Sequence, residues 1–256
     1  MCHETTACPP SPPIAGGAGA ASSERLVLHA ADGNRFRAFG ATAIDPEAPG
    51  VIILPDVRGL HPFYEQLAVR FAEVGIHATA IDYFGRTAGI DERDEDFDFK
   101  PHRHQMTHEG TAADIAGAVT HIRSEAGGGA ARVFTIGFCM GGRISFNQAA
   151  DRDDLVGVVG FYGTPHTGGP DDARAPMSLV DGYRCPVLGL FGSADEGIPG
   201  EALERFRRKL TEAGVPNELV VYEGAPHSFF DRSYEQHAEA CDDAWRRVLR
   251  FVRGPG

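Results

Sequence analysis

Hydrophobic and polar positions along the chain repeat with two different periods, and each period predicts a different element. The continuous apolar run at residues 51–54 is typical of a parallel strand that is covered on both faces. Residues 61–75 have apolar positions at helical spacing and end in glycine, which predicts a helix. Residues 25–29 and 36–39 flank an Asp-Gly-Asn turn signal, and this arrangement predicts an antiparallel hairpin.

Strand and helix patterns alternate from there to the end of the chain. Because such alternation implies βαβ crossovers, we expect an α/β fold with a mostly parallel sheet of about eight strands, helices on both faces and the hairpin at its start. Ligands of such folds bind beyond the carboxyl ends of the strands, so candidate chemistry is expected there. The further predicted strands are 77–81, 133–136, 156–161, 187–191 and 219–222, and the further predicted helices are 107–124, 141–150, 201–213 and 234–252.

The composition changes this picture only at the N-terminus. With 256 residues, of which 42% are hydrophobic and 23% charged, the chain is expected to form a single domain with a sizeable core over residues 24–254. Residues 1–23 are rich in proline, glycine and alanine and poor in large apolar side chains. We therefore expect a disordered tail there.

The charge balance limits the classes of molecule that are expected to bind the protein. A formal net charge of −12 and a pI of about 5.3 oppose a nucleic-acid partner, because binding to a phosphate backbone needs clustered lysines and arginines. The sequence has no secretory signal and no run of the roughly 20 apolar residues that cross a bilayer, so no membrane partner is expected. Five cysteines without framework-like spacing are typical of free thiols in a reducing compartment. We therefore expect a cytoplasmic protein, either a monomer or a homodimer.

Residues 137–142, Gly-Phe-Cys-Met-Gly-Gly, join a predicted strand to a predicted helix. This is the nucleophile-elbow pattern G-x-S-x-G with Cys139 in place of serine. The glycines permit a strained turn, and the helix N-terminus favours both the thiolate and the oxyanion that its attack creates. The backbone amides of Met140 and Val57 are expected to hold that oxyanion. The alternative is that Cys139 is a small buried hydrophobe.

Two further predicted strands end in residues that would complete a catalytic triad. Asp195 follows the strand at 187–191, and His227 follows the strand at 219–222. The order nucleophile, acid, histidine is that of the α/β-hydrolase fold, which we therefore expect. His227 would take the proton of Cys139, and Asp195 would fix the tautomer of the imidazole. For Asp195 alone, a turn or helix-cap role is the alternative.

Three segments together resemble the dienelactone hydrolase family, the carboxymethylenebutenolidases. They are Gly-Phe-Cys139-Met-Gly-Gly, Gly-Ser-Ala-Asp195 and Pro-His227-Ser-Phe, and the likeness extends over most of the chain after the N-terminal tail. The resemblance implies hydrolysis of the lactone ring of a dienelactone through a Cys-His-Asp triad, without a metal. No cofactor is expected, and the expected partner is a small ester or lactone.

Two further segments are similar to that family and bear on the substrate. Asp56 stands where the family has an acidic residue, typically glutamate, that pairs with the resting thiol. Arg86 matches an arginine that grips the substrate carboxylate, although Arg58 or Arg143 could substitute for it. A second carboxylate-binding arginine of the family lies four residues after its histidine, where this chain has Asp231. This departure leaves an anionic lactone and a neutral ester both open as substrates.

Phe84 and Tyr162 are the remaining candidates for the substrate site. Both are expected to line the pocket, and core packing is an equally weighted alternative for each. For Arg86 the alternative to an anion clamp is a surface or packing role.

A histidine cluster, His102, His104 and His108, raises the question of a metal site. His104 and His108 have the i, i+4 spacing that would place them on one face of a helix, as zinc ligands are placed. The segment follows an acidic and aromatic stretch, and no further ligand stands at a matching spacing. A solvated segment or a helix cap is therefore favoured, and no metal is expected.

These patterns predict a hydrolase that cleaves a small ester or lactone through a thioester acyl-enzyme. A broader carboxylesterase or thioesterase with the same triad is the alternative among enzymes. A non-catalytic ligand-binding protein is the alternative outside them, because a fold does not determine function.

Overall fold

A computed structural model describes residues 8–12, 20–93, 96–166, 174–231 and 233–254. The chain divides into two compact units, Met1–Val133 and Phe134–Gly256. The α/β class, the count of eight strands and the antiparallel hairpin at the start are confirmed. No helix among the described residues is long and apolar enough to span a bilayer. The single domain over 24–254 stays a prediction.

The first unit contains four strands in the order β1-β2-β4-β3. β1 and β2 pair antiparallel, β2 and β4 pair antiparallel, and β3 and β4 pair parallel. The strands are β1 (Ala20–His29), β2 (Arg35–Ala43), β3 (Gly50–Leu54) and β4 (His77–Ile81), and the helices are α1 (Pro62–Glu73), α2 (Gly85–Ala88), α3 (Phe99–His104) and α4 (His108–Arg123).

The hairpin is longer than its sequence pattern predicts. β1 begins at Ala20 rather than at residue 25, because β2 continues to Ala43 and Ala20 pairs with it. Residues 20–23, which the sequence assigns to the tail, therefore belong to a strand. Residues 1–7 and 13–19 of the predicted tail lie outside the described residues.

Helices cover both faces of the first unit's strands, as the sequence predicts. Successive residues of a strand point to opposite faces, so Phe36 and Arg37 of β2 mark the two sides. Arg37 lies 3.8 Å from Glu65 of α1. Phe36 lies against Gly117 of α4, where an added Cβ would come within 3.4 Å of its ring. The helices α1 and α4 therefore lie on opposite faces.

The second unit contains four strands that all run parallel, in the order β5-β6-β7-β8. The helix α8 begins at Ala238, four residues after the predicted start, because Gln236 and His237 donate hydrogen bonds to Ser233 in a turn. The strands are β5 (Val133–Phe138), β6 (Gly157–Phe161), β7 (Val187–Gly192) and β8 (Asn217–Tyr222), and the helices are α5 (Met140–Asp151), α6 (Pro176–Leu179), α7 (Gly200–Glu212) and α8 (Ala238–Arg253).

Two aromatic side chains show that helices also cover both faces of this unit. Gly157 and Gly160 of β6 are three residues apart and so face opposite sides. An added Cβ would come within 2.7 Å of Phe251 of α8 at the first position and within 2.3 Å of Phe146 of α5 at the second. The carboxyl ends of the four parallel strands therefore meet at one edge, between two helical layers.

Candidate active site

Cys139 occupies the turn between β5 and α5 with a left-handed backbone, φ 54° and ψ −113°. A residue other than glycine adopts this conformation only when its surroundings impose it. The Cys139 amide donates to the carbonyl of Phe161 at 3.0 Å, and the Cys139 carbonyl accepts from Arg143 at 3.2 Å. The side chain is half-buried at the start of a twelve-residue helix. This is the conformation of a nucleophile elbow.

The glycines of the elbow are required for space. A Cβ at Gly137 would lie 1.9 Å from the carbonyl oxygen of Gly141, and a Cβ at Gly142 would lie 2.6 Å from that of Phe161. These obstacles are backbone atoms, which cannot rotate away as a side chain would. β5 can therefore run into α5 only because Gly137 lacks a side chain, and α5 can lie against the end of β6 only because Gly142 lacks one.

His227 and Asp195 form a close pair. Nδ1 of His227 lies 2.6 Å from Oδ2 of Asp195. The Asp195 side chain is 4% exposed and the His227 side chain 34% exposed. The second carboxylate oxygen, Oδ1, accepts from the Gly197 amide at 3.0 Å, so the acid is held by its own loop. A proton on Nδ1 would be donated to Asp195, which leaves Nε2 as the basic atom.

Backbone hydrogen bonds join the loops that carry these two residues. The Ser193 amide donates to the Tyr222 carbonyl at 2.9 Å, and the Ala194 amide donates to the Ala225 carbonyl at 3.0 Å. The two strands β7 and β8 are neighbours, so their following loops begin side by side. The carboxylate and the imidazole are thus brought together by the main chain, although they are 32 residues apart.

Tyr162 follows β6, the strand between β5 and β7, and contacts the imidazole. Its ring centroid lies 5.0 Å from that of His227 and 6.3 Å from that of Phe138, the residue before the cysteine. Its hydroxyl donates to Oδ2 of Asp231 at 3.3 Å. Tyr162 is 1% exposed, so the structure favours packing beside the histidine over a pocket-lining role.

Four neighbouring strand ends thus carry the second unit's candidate residues, in the order Cys139, Tyr162, Asp195 and His227. Asp231 was noted in the sequence only as a departure from the family pattern. No spacing rule could have indicated its contact with Tyr162, because that contact joins two loops 69 residues apart.

Asp56 and Val57 belong to the first unit, where they follow β3. Asp56 is 2% exposed. Its Oδ1 accepts from the Arg58 amide at 2.8 Å, and its Oδ2 lies 3.8 Å from Nε2 of His61. The pairing of Asp56 with the nucleophile thiol and the oxyanion role of the Val57 amide stay predictions.

Arg86 binds two carboxylates of its own unit. Its guanidinium donates to Asp32 at 2.6 and 3.2 Å, and to Asp114 at 2.8 and 3.1 Å. The hydrogen bond with Asp32 raises the pKa of Arg86, and the same bond lowers the pKa of Asp32. Because Nε and both terminal nitrogens donate within the protein, the structure favours the packing alternative over the predicted anion clamp.

Phe84 lies among aromatic rings of the first unit. It is fully buried, and its ring lies 5.5 Å from that of Phe97 and 6.1 Å from that of His102. This is the core-packing alternative, since a buried ring among aromatic neighbours within one unit presents no open surface there.

The histidine cluster does not form the helical pair that its spacing suggests. α3 ends at His104 and α4 begins at His108, so the two residues lie on different helices. His102 stacks on Phe97 with a ring separation of 5.2 Å. Among the described residues, no group of three or more histidine, cysteine, aspartate and glutamate side chains could hold a metal ion.

An open depression of about 700 Å³ lies elsewhere in the second unit, beside the start of α8. Its lining includes Tyr222, His237, Asp243 and Arg247 and contains none of the candidate catalytic residues. Tyr222 and Arg247 both donate to Asp243, so the polar groups of this wall bind one another.

The chain is similar to known proteins in sequence and in fold. The family model described as "Dienelactone hydrolase family" matches residues 36–254. A curated protein of Escherichia coli named "Putative carboxymethylenebutenolidase" is 29% identical over 218 residues, which cover 83% of this chain and 79% of the relative. A Bradyrhizobium protein named "Probable 2-oxo-3-(5-oxofuran-2-ylidene)propanoate lactonase" is 26% identical over 224 residues, with 86% and 89% covered.

Among solved structures, one titled as a "Putative Dienelactone Hydrolase" from Klebsiella pneumoniae subsp. pneumoniae is similar to this chain with a TM-score of 0.79 and 26% identity. The match covers 91% of this chain and all of the other. It identifies the fold as that of the α/β-hydrolases, as the order of the candidate residues predicts.

Proposed function

This chain belongs to the dienelactone hydrolase family, and on that premise we propose that it hydrolyses a small carboxylic ester or lactone with Cys139 as nucleophile, His227 as base and Asp195 as its partner. One observation carries the proposal: the 2.6 Å contact between His227 and Asp195 lies at the same strand edge as a cysteine in the elbow conformation. An imidazole oriented by a carboxylate is what proton transfer to and from a thiol requires.

In the first half of the proposed reaction, Sγ of Cys139 attacks the ester carbonyl carbon after His227 has taken the thiol proton. A carbon–sulfur bond forms, and the carbonyl π pair moves onto oxygen. We expect the Met140 amide, at the first position of α5, to donate to that oxyanion together with the positive end of the helix dipole. When the tetrahedral intermediate collapses, the carbon–oxygen bond breaks and the alkoxide takes the proton from His227.

In the second half, water hydrolyses the thioester. His227 removes a proton from water while the oxygen attacks the acyl carbon, and the carbon–sulfur bond then breaks. The acid is released and the proton on His227 restores the thiol. Asp195 stays hydrogen-bonded to Nδ1 and stabilises the imidazolium in both halves.

Replacement of the nucleophile tests the proposal. We expect Cys139→Ala to lower kcat on a nitrophenyl ester by more than about 10³-fold, because no other group can form the thioester. Cys185→Ala is the matched control, since Cys185 is a buried thiol in the same unit, and we expect its kcat within about twofold of the wild type. Full activity in Cys139→Ala would refute the mechanism. A trapped thioester seen by mass spectrometry in the wild type would support it.

A second candidate is a broader carboxylesterase that prefers neutral esters. Two observations favour it. The Arg86 donors bind Asp32 and Asp114. The carboxylate of Asp231 binds the Tyr162 hydroxyl, and the Tyr162 ring packs on His227. The discriminating measurement compares kcat/KM for an aryl acetate and for the aryl hemisuccinate, which differs by one carboxylate.

A further inference from the structure

Backbone strain in the described residues is concentrated in the loops that follow the second unit's strands. The three residues other than glycine with positive φ are Cys139 at 54°, Tyr162 at 39° and Ser228 at 62°. The first is the proposed nucleophile, the second packs on His227, and the third follows His227 directly. Such conformations persist only where the surroundings hold them, and they cluster at functional sites. Tyr162 and Ser228 have no role in the reaction described above, so their strain needs a separate explanation.

Tyr162 joins His227 to a buried carboxylate. Its ring centroid lies 5.0 Å from that of the imidazole at an interplanar angle of 55°, which is within the range of favourable aromatic contacts. Its hydroxyl donates to Oδ2 of Asp231, and both side chains are almost fully buried, at 1% and 3% exposure. In the interior, where the local dielectric is low, a hydrogen bond is electrostatically stronger than it is in water. The phenol is therefore anchored at its far end.

The loop that carries the histidine also carries the anchor. The Asp231 amide donates to the Ser228 carbonyl at 3.1 Å, which closes a turn that starts one residue after His227. After His227 the chain turns at Ser228, and Asp231 at the end of this turn binds the Tyr162 hydroxyl. The Tyr162 ring in turn packs on the His227 imidazole. The ring contact with Tyr162 and the turn at Ser228 therefore both constrain the His227 side chain.

His227 needs a second constraint because one hydrogen bond does not determine its orientation. The bond from Nδ1 to Asp195 determines where that nitrogen points, but the ring can still rotate about the bond. The side chain is about one-third exposed, so packing encloses only part of it. A ring held against its face restricts the rotation and keeps Nε2 in a constant direction.

We propose that Tyr162 and Asp231 are positioning residues for His227, and that the hydrogen bond between the phenol and the buried carboxylate holds the imidazole in the plane that proton transfer needs. The inference rests on the proposed function, in which His227 is the base.

The variants Tyr162→Phe and Asp231→Ala test it in the full chain. Each removes the same hydrogen bond from one side, and we expect each to lower kcat on the aryl acetate about tenfold with KM within about twofold. The double variant is expected to be no worse than either single variant, because both changes remove one interaction. Asp231→Asn keeps an acceptor oxygen for the phenol and should restore kcat to within about threefold of the wild type.

Tyr222→Phe is the matched control. Tyr222 donates to Asp243 at 2.9 Å in the same unit, so this variant also removes one tyrosine–aspartate hydrogen bond and keeps the ring. We expect a comparable change in Tm for Tyr222→Phe and Tyr162→Phe, and a lower kcat only in the latter. An equal kcat in both would assign Tyr162 a purely structural role and overturn the proposal. Failure of Asp231→Asn to restore activity would also overturn it.

A measurement without turnover separates this inference from the proposed function. Nuclear spin relaxation of the isotope-labelled His227 imidazole, assigned with His227→Gln, reports how far its ring moves. We expect a rigid ring in the wild type and in Tyr222→Phe, and a larger amplitude of ring motion in Tyr162→Phe and Asp231→Ala. This result in a protein that hydrolyses no ester would support the positioning role and reject the function. Unchanged ring motion and unchanged kcat beside an inactive Cys139→Ala would reject the positioning role and support the function.

Discussion

At the scale of single residues, the backbone conformation of the elbow determines which neighbouring positions must be glycine. Cys139 has a left-handed backbone because β5 and α5 meet within a few residues, and that meeting depends on Gly137. The G-x-C-x-G pattern therefore reports a steric condition that the sequence displays directly. The Tyr162–Asp231 contact obeys no local rule, because it depends on where two separate loops end.

Gly137→Ala provides a direct test of that steric condition. The added methyl would overlap the Gly141 carbonyl, whose oxygen lies 1.9 Å from the new Cβ, so the first turn of α5 must move. We expect the free energy of unfolding, measured by urea denaturation, to fall by about 3 kcal/mol or more. Gly200→Ala at the start of α7 is the control, because an added Cβ there meets no atom within 4 Å. We expect that change to stay within about 1 kcal/mol; equal losses at both positions would contradict the argument.

At the scale of elements, apolar runs predict the buried strands within a few residues, because burial on both faces leaves few polar positions in them. The sequence does not predict α2, α3 or α6, which have four to six residues and no room for a helical period. It places the start of α8 four residues early, since a turn at Ser233 has similar polarity. Strand ends indicate the loops that carry Asp195 and His227, whose side chains lie 2.6 Å apart. The surroundings of Arg86 come from three elements that are far apart in the sequence, so no local pattern predicts them.

Arg86 joins the β1–β2 turn, α2 and α4 through its contacts with Asp32 and Asp114. Asp114 is 1% exposed, and burial raises its pKa while its hydrogen bonds with Asn34 and Arg86 act in the opposite direction. Arg86→Ala removes one of these compensating groups from a buried carboxylate. We expect the free energy of unfolding to fall by about 2–3 kcal/mol at pH 7.

The pH dependence of this loss has a definite sign. In Arg86→Ala the folded state should hold the Asp114 proton more tightly than the unfolded state. The free energy of unfolding of the variant, relative to the wild type, therefore falls as pH rises above the ordinary carboxyl range. Urea titrations at pH 7 and pH 4.5 should therefore show the larger deficit at pH 7. Arg70→Ala, which removes an exposed pair with Glu73, is the control and should cost no more than about 0.5 kcal/mol at either pH. A larger deficit at the lower pH would contradict this account.

At the scale of the whole molecule, the net charge of −12 bears on the choice between anionic and neutral substrates. A molecule of this charge repels anions over a distance set by the salt, about 30 Å at 0.01 M and about 8 Å at 0.15 M. We expect kcat/KM for the aryl hemisuccinate to lie at least about tenfold below that for the acetate, and to rise severalfold between these two salt concentrations. The value for the acetate should not change. A preference for the hemisuccinate at both salt concentrations would favour the anionic lactone.

The left-handed turn at residue 139 depends on the space that the neighbouring glycines leave and not on sulfur. The backbone therefore does not depend on the side-chain atom at this position. A serine here would have the same exposure and would lie at the same helix terminus. Exchange of sulfur for oxygen would alter the hardness of the nucleophile while the architecture stayed the same. A single-codon change at this position could therefore alter the class of electrophile that the protein attacks, while the backbone of the site stayed the same.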